Sequence, residues 1–257
     1  MACIKKIKMP NGAKRDIGVN ISNVDDVGHN SIYRGKNLTN VYTLAQLHEK
    51  VSAGDFEDLF LGDYWNTSKG IAYMIYGFNP MYNQGDTTII TQPHIGLIAR
   101  SPSNLPTAKY AETTGATGGY VNSYINDYIT YTESVFAGHA GLDEFMEYLI
   151  SAQIYVSSAN DNNGATGNSW MTCKFWLPSD AEICGYPRAG TPTAETAWGY
   201  SKLPVFNYIS PNRFGRSAFW TRTLASGGNA IRINNNGIRG VATKTSELGV
   251  RPCMIFG

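Results

Sequence analysis

The stretch SAFWTRTLASGGNAIRINNNGIRGVATKTSELGVRPCMIF, residues 217–256, decides how the chain is read. Its opening SAFWTR (217–222) alternates apolar with polar residues as a half-buried strand does, and its close LGVRPCMIF (248–256) is a second apolar run. Both fit central strands of a sheet. Between them AIRINNNGIRGV (230–241) predicts a hairpin, because Asn236 followed by Gly237 suits the positive φ of a type I′ turn and β-branched residues flank it. Ile231 and Ile233 would share one face and anchor the ribbon, while Arg232 and Asn234 lie on the other. On spacing alone this is equally an ordinary surface hairpin.

The whole chain of 257 residues and 28.1 kDa fits one large domain, or one domain with a short appendage. Hydrophobic content of 42%, with 12% aromatic and 16% charged residues, speaks against disorder and for an aromatic core. The balance of 21 basic and 20 acidic side chains gives no global field toward nucleic acid or an anionic membrane. No apolar run approaches the roughly 20 residues of a membrane span, and the basic start around Lys5 and Lys6 lacks the pattern of a signal peptide. Cytoplasmic synthesis without membrane insertion is the expectation. Cys3, Cys173, Cys184 and Cys253 are scattered without a CxxC, which indicates neither a disulfide framework nor a zinc site. Mostly buried free thiols are expected, with a Cys173–Cys184 bridge left open.

Residues 1–40 have another texture: IKKIKMPNG (4–12) is a short strand and a turn, and DIGVNI (16–21) could pair back on it. Such a hairpin needs something to dock on. From 41 onward the pattern becomes that of a domain. TLAQLHEKV (43–51) is an amphipathic helix capped by Thr43 and stopped by Gly54. IAYMIYGF (71–78) and TTIITQPHIGLIA (87–99) read as antiparallel neighbours. Tyr120, Tyr124, Tyr128 and Tyr131 line one face of a second helix, for which core packing is the default explanation, LDEFMEYLI (142–150) continues helically, and QIYV (153–156) is a strand. NDNNGATGNS (160–169) reads as a long polar loop. KFW (174–176) leads into a helical turn capped by Ser179, with Glu182 completing a capping box. Trp198 and Tyr200 either flank a display surface or fill the scaffold.

The pairing of FWTR (219–222) with LGVRP (248–252) resembles the closing third of C-type-lectin-like domains of the formylglycine-generating-enzyme type. It is especially similar to the variable proteins diversified by phage and bacterial retroelements, and GDY (62–64) before an apolar strand extends the likeness through most of the chain. The segment NSIYRGKNLT (30–39) resembles linkers at the head of phage structural proteins. The resemblance implies an α+β, C-type-lectin-like fold with a mixed or antiparallel sheet, two helices, long loops and a short N-terminal hairpin. It also implies a variable region at about 217–257. In that family patch residues start from asparagine codons, which adenine-directed change cannot convert to Lys, Glu, Gln, Met or Trp. Residues 223–243 contain none of these five, and do contain Asn229, Asn234, Asn235 and Asn236. The implied ligand-facing residues are Thr223, Ser226, Asn229, Arg232, Asn234, Asn235, Ile238, Arg239 and Thr243, with Trp220, Arg222, Arg251 and Pro252 in the frame.

The sequence offers no chemistry of its own. His29, His48, His94 and His139 sit in no catalytic motif, and GxSxG is absent. TTGATGGY (113–120) lacks the Lys-Ser or Lys-Thr of a phosphate loop. GVRPC (249–253) displaces Cys253 from the position used by the related oxidases, and no second cysteine precedes it in the tail. The sugar-binding calcium triplets of C-type lectins are also missing. The expectation is therefore a non-catalytic recognition protein that uses no metal or other cofactor and binds a cell-surface protein or glycan. Residues 1–40 would attach it to a virion or fibre, a homo-oligomer is compatible, and its location would be a virion or cell surface. The alternatives are a phage or prophage tail or fibre subunit with a fixed surface and, less favoured, a formylglycine-generating-type oxidase.

Overall fold

A computed structural model describes residues 6–8, 14–16, 32–87, 89–130, 135–161, 164–186 and 202–257. In chain order these form β1 (Lys6–Lys8), β2 (Lys14–Asp16), α1 (Leu44–Ser52), β3 (Tyr64–Asn66), β4 (Ala72–Phe78), β5 (Ile95–Ala99) and β6 (Thr107–Lys109). There follow α2 (Tyr124–Thr130), α3 (Val135–Ala140), a 3-10 helix (Leu142–Tyr148), β7 (Leu149–Ile150), β8 (Ala152–Asp161), β9 (Gly164–Cys173) and β10 (Phe175–Trp176). The last third holds α4 (Asp180–Cys184), a 3-10 turn (Pro204–Asn207), β11 (Phe219–Leu224), β12 (Asn229–Ile233), β13 (Arg239–Thr243), β14 (Glu247–Gly249) and β15 (Cys253–Phe256).

The architecture is α+β and mostly sheet. A six-stranded sheet has the order β10-β15-β5-β4-β3, with β7 also on β15, and a five-stranded sheet has the order β13-β12-β11-β14-β6. Strand pairs are antiparallel except β11 with β14. The tail thus serves both sheets: β11 is central in one and β15 lies between β10 and β5 in the other, as the two apolar runs suggest. Every residue of β11 and β15 is buried. None of the described helices is long and apolar enough to cross a membrane.

Local chemistry explains the elements. Thr43 Oγ1 accepts from the Gln46 N–H (3.2 Å) and Gln46 Oε1 accepts from the Thr43 N–H (2.9 Å), a capping box that starts α1 and sends Leu47 and Val51 inward. Ser179 and Glu182 cap α4 in the same way. β4 and β5 pair antiparallel across an all-apolar interface. β1 and β2 form the N-terminal antiparallel pair, in register Lys6 opposite Asp16.

Several expectations need correction. Four short α-helices stand among the described residues where two were expected. In α2 the buried side is Ile125, Asn126 and Ile129, whereas Tyr124 is exposed and stacks on Tyr128 at 6.1 Å; of the described tyrosines here, Tyr120, ahead of the helix, is in the core and Tyr128 is partly buried against it. The 160–169 segment is largely strand, since Asn160 pairs with Ala165 and Ser157 with Asn168. Alternating small and polar residues there pair as well as β-branched ones would, because the ladder is made by the backbone. Docking on the domain also begins before residue 40. Leu38 is in the core, and Arg34 makes a fork to buried Asp63, with Nε to Oδ1 at 3.1 Å and a second nitrogen to Oδ2 at 2.5 Å. Trp198, Tyr200 and Tyr131 lie outside the described residues.

Candidate display surface

The frame under the tail hairpin is a buried polar network. Arg222 and Glu182, 0% and 3% exposed in their side chains, meet at 2.6 and 3.1 Å. Glu182 Oε2 also accepts from the Ser179 N–H at 2.7 Å, so one carboxylate closes α4 and neutralises β11. The Arg222 carbonyl accepts from the Tyr110 hydroxyl (2.8 Å), and Trp220 Nε1 donates to the Ala108 carbonyl (2.9 Å). Arg251 is fully buried and donates to the carbonyls of Ala99, Pro211 and Arg100 at 2.7, 2.8 and 3.1 Å; burial pulls its pKa below the ordinary arginine range. Trp220, Arg222, Arg251 and Pro252 are all interior.

On this frame β12 and β13 form the outer ribbon of the five-stranded sheet, with β13 at its edge. Ile233 faces Arg239 across the ribbon, Arg232 faces Gly240, Ile231 faces Val241 and Asn229 faces Thr243. The turn differs from the expected two-residue type I′. Asn234 N–H donates to the Ile238 carbonyl (2.8 Å) and Gly237 N–H to the Asn234 carbonyl (2.9 Å), which leaves a three-residue loop, 235–237. Gly237 takes φ 79°, whereas Asn236 stays out of the left-handed region. The Asn234 side chain explains the change: its Oδ1 accepts from the N–H groups of Asn236 (2.9 Å) and Ile238 (3.0 Å).

The nine sequence-derived candidates fall into distinct environments. Thr223 is not displayed at all: it is 1% exposed, its hydroxyl donates to Asp180 Oδ1 (3.0 Å), and it accepts from the Asp180 N–H (3.1 Å). β11 is covered on both sides, so none of its residues is displayed, Thr223 included. Arg239 is held, with one terminal nitrogen 3.0 Å from Asp180 Oδ2 and 2.9 Å from the Tyr186 carbonyl, and its guanidinium 4.7 Å from the Tyr186 ring centre. Arg232 Nε donates to the Val241 carbonyl (3.2 Å) and Asn229 Nδ2 to the carbonyls of Ser226 and Gly227 (3.0 and 3.2 Å). Thr243 is exposed and shares a hydrogen bond with Ser246 (2.8 Å). Ser226, Asn235 and Ile238 are exposed, Ile238 by 62%.

Register also divides the candidates between faces. Asn229, Arg239 and Thr243 share the side of Ile231 and Ile233, and Arg232 occupies the other. What the arrangement offers is therefore an edge and a turn: Asn235 and Ile238 at the tip, Val241 and Thr243 along β13, with Tyr186 stacked beside Arg239. Val241, Tyr186 and Tyr208 were missed from sequence. Val241 was recoverable, since it alternates with Arg239 and Thr243 on one strand. Tyr186 follows the α4 helix and comes to the ribbon only through the Arg239 contact, for which no sequence signal exists.

No cluster of three His, Cys, Asp or Glu able to hold a metal ion occurs among the described residues. Cys173, Cys184 and Cys253 are free thiols, so the open Cys173–Cys184 bridge does not form. Burial pushes Cys173 up to about 12 and Cys253 well above the ordinary thiol range, so both stay protonated at neutral pH.

Compared with protein-family models, with curated proteins and with solved structures, the chain matches none.

Proposed function

We propose that the chain is a non-catalytic recognition protein whose C-terminal ribbon meets a ligand, a cell-surface protein or glycan. One observation carries the reading. Of the eight large apolar side chains left exposed among the described residues, Ile238 and Val241 lie on the ribbon, Tyr186 stacks on it through Arg239, and Tyr208 precedes the 210–212 segment that packs against Gly237. Exposed apolar side chains concentrated on a rigidly buried frame are what a recognition surface needs. Interspersed Asn235 and Thr243 supply donors and acceptors.

The finer reading is a C-type-lectin-like scaffold whose ribbon is varied by a retroelement. It is supported by the tail motifs and by the asparagine-rich 223–243 segment, now without Thr223. Its test is the DNA flanking the gene. A near-identical copy of the tail-coding region, differing at adenines and beside a reverse transcriptase, is the expected finding. Only invariant flanking sequence would remove diversification from the proposal.

A second reading, a structural virion or fibre subunit, draws on β13 being a sheet edge, which could take a strand from a sister chain. Against it, Arg232 already covers the Val241 carbonyl and Ser246 N–H the Thr243 carbonyl at 2.9 Å. Sedimentation of the full chain separates the two: the recognition reading expects a free ribbon, and association abolished by V241D would favour the subunit.

A further inference from the structure

Arg100, directly after β5, holds a guanidinium whose carbon is 3.9 Å from the Tyr64 ring centre and 3.9 Å from the Phe214 ring centre. Both faces of the planar cation are thus covered, and only its edge is left for a partner. On that edge Nε is buried with no hydrogen-bond partner, and no carboxylate among the described residues pairs with the group. Aromatic plates stabilise the charge but accept no in-plane hydrogen bond. A buried charged donor left unmatched costs more than the roughly 1–3 kcal/mol of a neutral one.

The surroundings repeat the imbalance. Arg251 donates to the Arg100 carbonyl at 3.1 Å and to the carbonyls of Ala99 and Pro211, with the ring centres of Phe219 and Phe206 at 4.9 and 5.3 Å from its guanidinium carbon. The loop that supplies Phe214 also carries the exposed Arg213 and Arg216. None of the three segments 95–106, 208–218 and 248–257 contains an Asp or Glu. These segments bring four arginines and no acid, while Asp63, next to Tyr64, is already bonded to Arg34. Neutral donors stand by as well: Ser217 Oγ donates to Ser103 Oγ at 3.2 Å, and a Cβ at Gly215 would fall 2.2 and 2.3 Å from Ser103 Oγ and Ser101 Oγ. Glycine there leaves room for the hydroxyls.

We propose that the edge of the Arg100 guanidinium is an oxyanion-binding site, taking a carboxylate, sulfate ester or phosphate ester carried by a ligand. The guanidinium edge supplies the planar fork that such groups match, Tyr64 and Phe214 hold it in place, and Arg213 and Arg216 raise the local anion concentration. A clip that merely pinned the 211–217 loop would account for the stacking and not for the unmatched Nε. The site does not depend on the ribbon being a recognition surface.

The test is calorimetric titration of the full chain with N-acetylneuraminic acid, glucosamine 6-sulfate and glucose 6-phosphate, with glucose as neutral control at matched sodium chloride. Saturable binding of at least one acidic sugar and none of glucose is expected, and the acid that binds identifies the source of the oxyanion. R100Q should weaken it about tenfold or more, the scale of a charged hydrogen-bond pair. R100K, which keeps the charge and the fold but removes the planar fork, should show a similar loss. R213Q/R216Q should weaken binding less and flatten its salt dependence. Absence of saturable binding by all three acids, or unchanged affinity in R100K, would overturn the site. Removing the ribbon's Ile238 and Val241 side chains should leave this binding intact, so the two readings fail separately.

Discussion

Arg222 and Glu182 form a two-pronged ion pair inside the protein, at 2.6 and 3.1 Å, joining the central strand of one sheet to the capping box of α4. Removing one partner leaves the other charge buried without compensation. R222A and E182Q are therefore each expected to lower unfolding free energy by about 3–5 kcal/mol in urea titrations. The apolar pair R222M/E182L should recover part of that loss, because it buries no charge. A double variant worse than both singles would show that the guanidinium's hydrogen bond to the Leu177 carbonyl at 2.9 Å, not the ion pair, dominates.

His94 is interior, with Nε2 accepting from the Met81 N–H at 3.1 Å and Nδ1 facing the Gln92 carbonyl at 2.9 Å. The ring is thus neutral, with its proton on Nδ1. Burial holds its pKa down to about 4, against 6.5 for the free side chain. Between those values the unfolded chain binds more protons than the folded one, so stability rises with pH across the window and is lost as pH falls from 6.5 toward 4. The loss should reach about 3 kcal/mol. Difference curves of wild type against H94Q isolate it from carboxylate titration. A flat difference over that window would contradict the buried neutral ring.

How much of this was legible depended on how local the cause is. The Thr43 and Ser179 caps, the β4–β5 pair and the two tail strands follow from neighbours a few residues apart, and sequence reading finds them. The type of the ribbon turn did not, because the Asn234 side chain competes with the backbone for the turn's N–H groups. Thr223 was misplaced because the likeness starts the patch at the end of β11, a strand with no wet face. Tyr124 was misplaced because four tyrosines at helical spacing say that one face is aromatic, not that it faces inward. Tyr186 beside Arg239 and the Arg100 clamp come from distant segments, and only the folded chain brings them together.

Gly237 gives a sharper test of the turn. Its φ of 79° is left-handed, and a Cβ there would lie 2.8 Å from Ser210 Oγ. G237A should cost about 1–2 kcal/mol from the backbone alone, with further loss if the 208–212 segment is displaced. N236A should cost less, because the Asn236 side chain is exposed and its backbone N–H, which binds Asn234 Oδ1, is retained. Equal costs would indicate the two-residue turn, in which both positions are left-handed.

The division between frame and display surface is tested by four variants compared in one melting series. Trp220 is 0% exposed with its indole N–H bonded to Ala108, so W220A should cost about 3–5 kcal/mol. T223V, at a position that the family likeness implies for the patch, should cost about 1–3 kcal/mol, because it leaves the Asp180 N–H and carboxylate without their shared partner. The surface combination N235A/I238A/V241A/T243A should stay close to wild type, since its residues are exposed and only Thr243 makes a side-chain hydrogen bond, to Ser246. R239A belongs between these groups: its partner Asp180 is 1% exposed and loses that ion pair while keeping the Thr223 hydroxyl. An Arg239 loss near 1–3 kcal/mol would identify it as the hinge between frame and surface, leaving the tip and the β13 edge as the part free to change with the ligand. Destabilisation by the surface combination as large as that of W220A would mean that the ribbon is structural, and the recognition reading would fall with it.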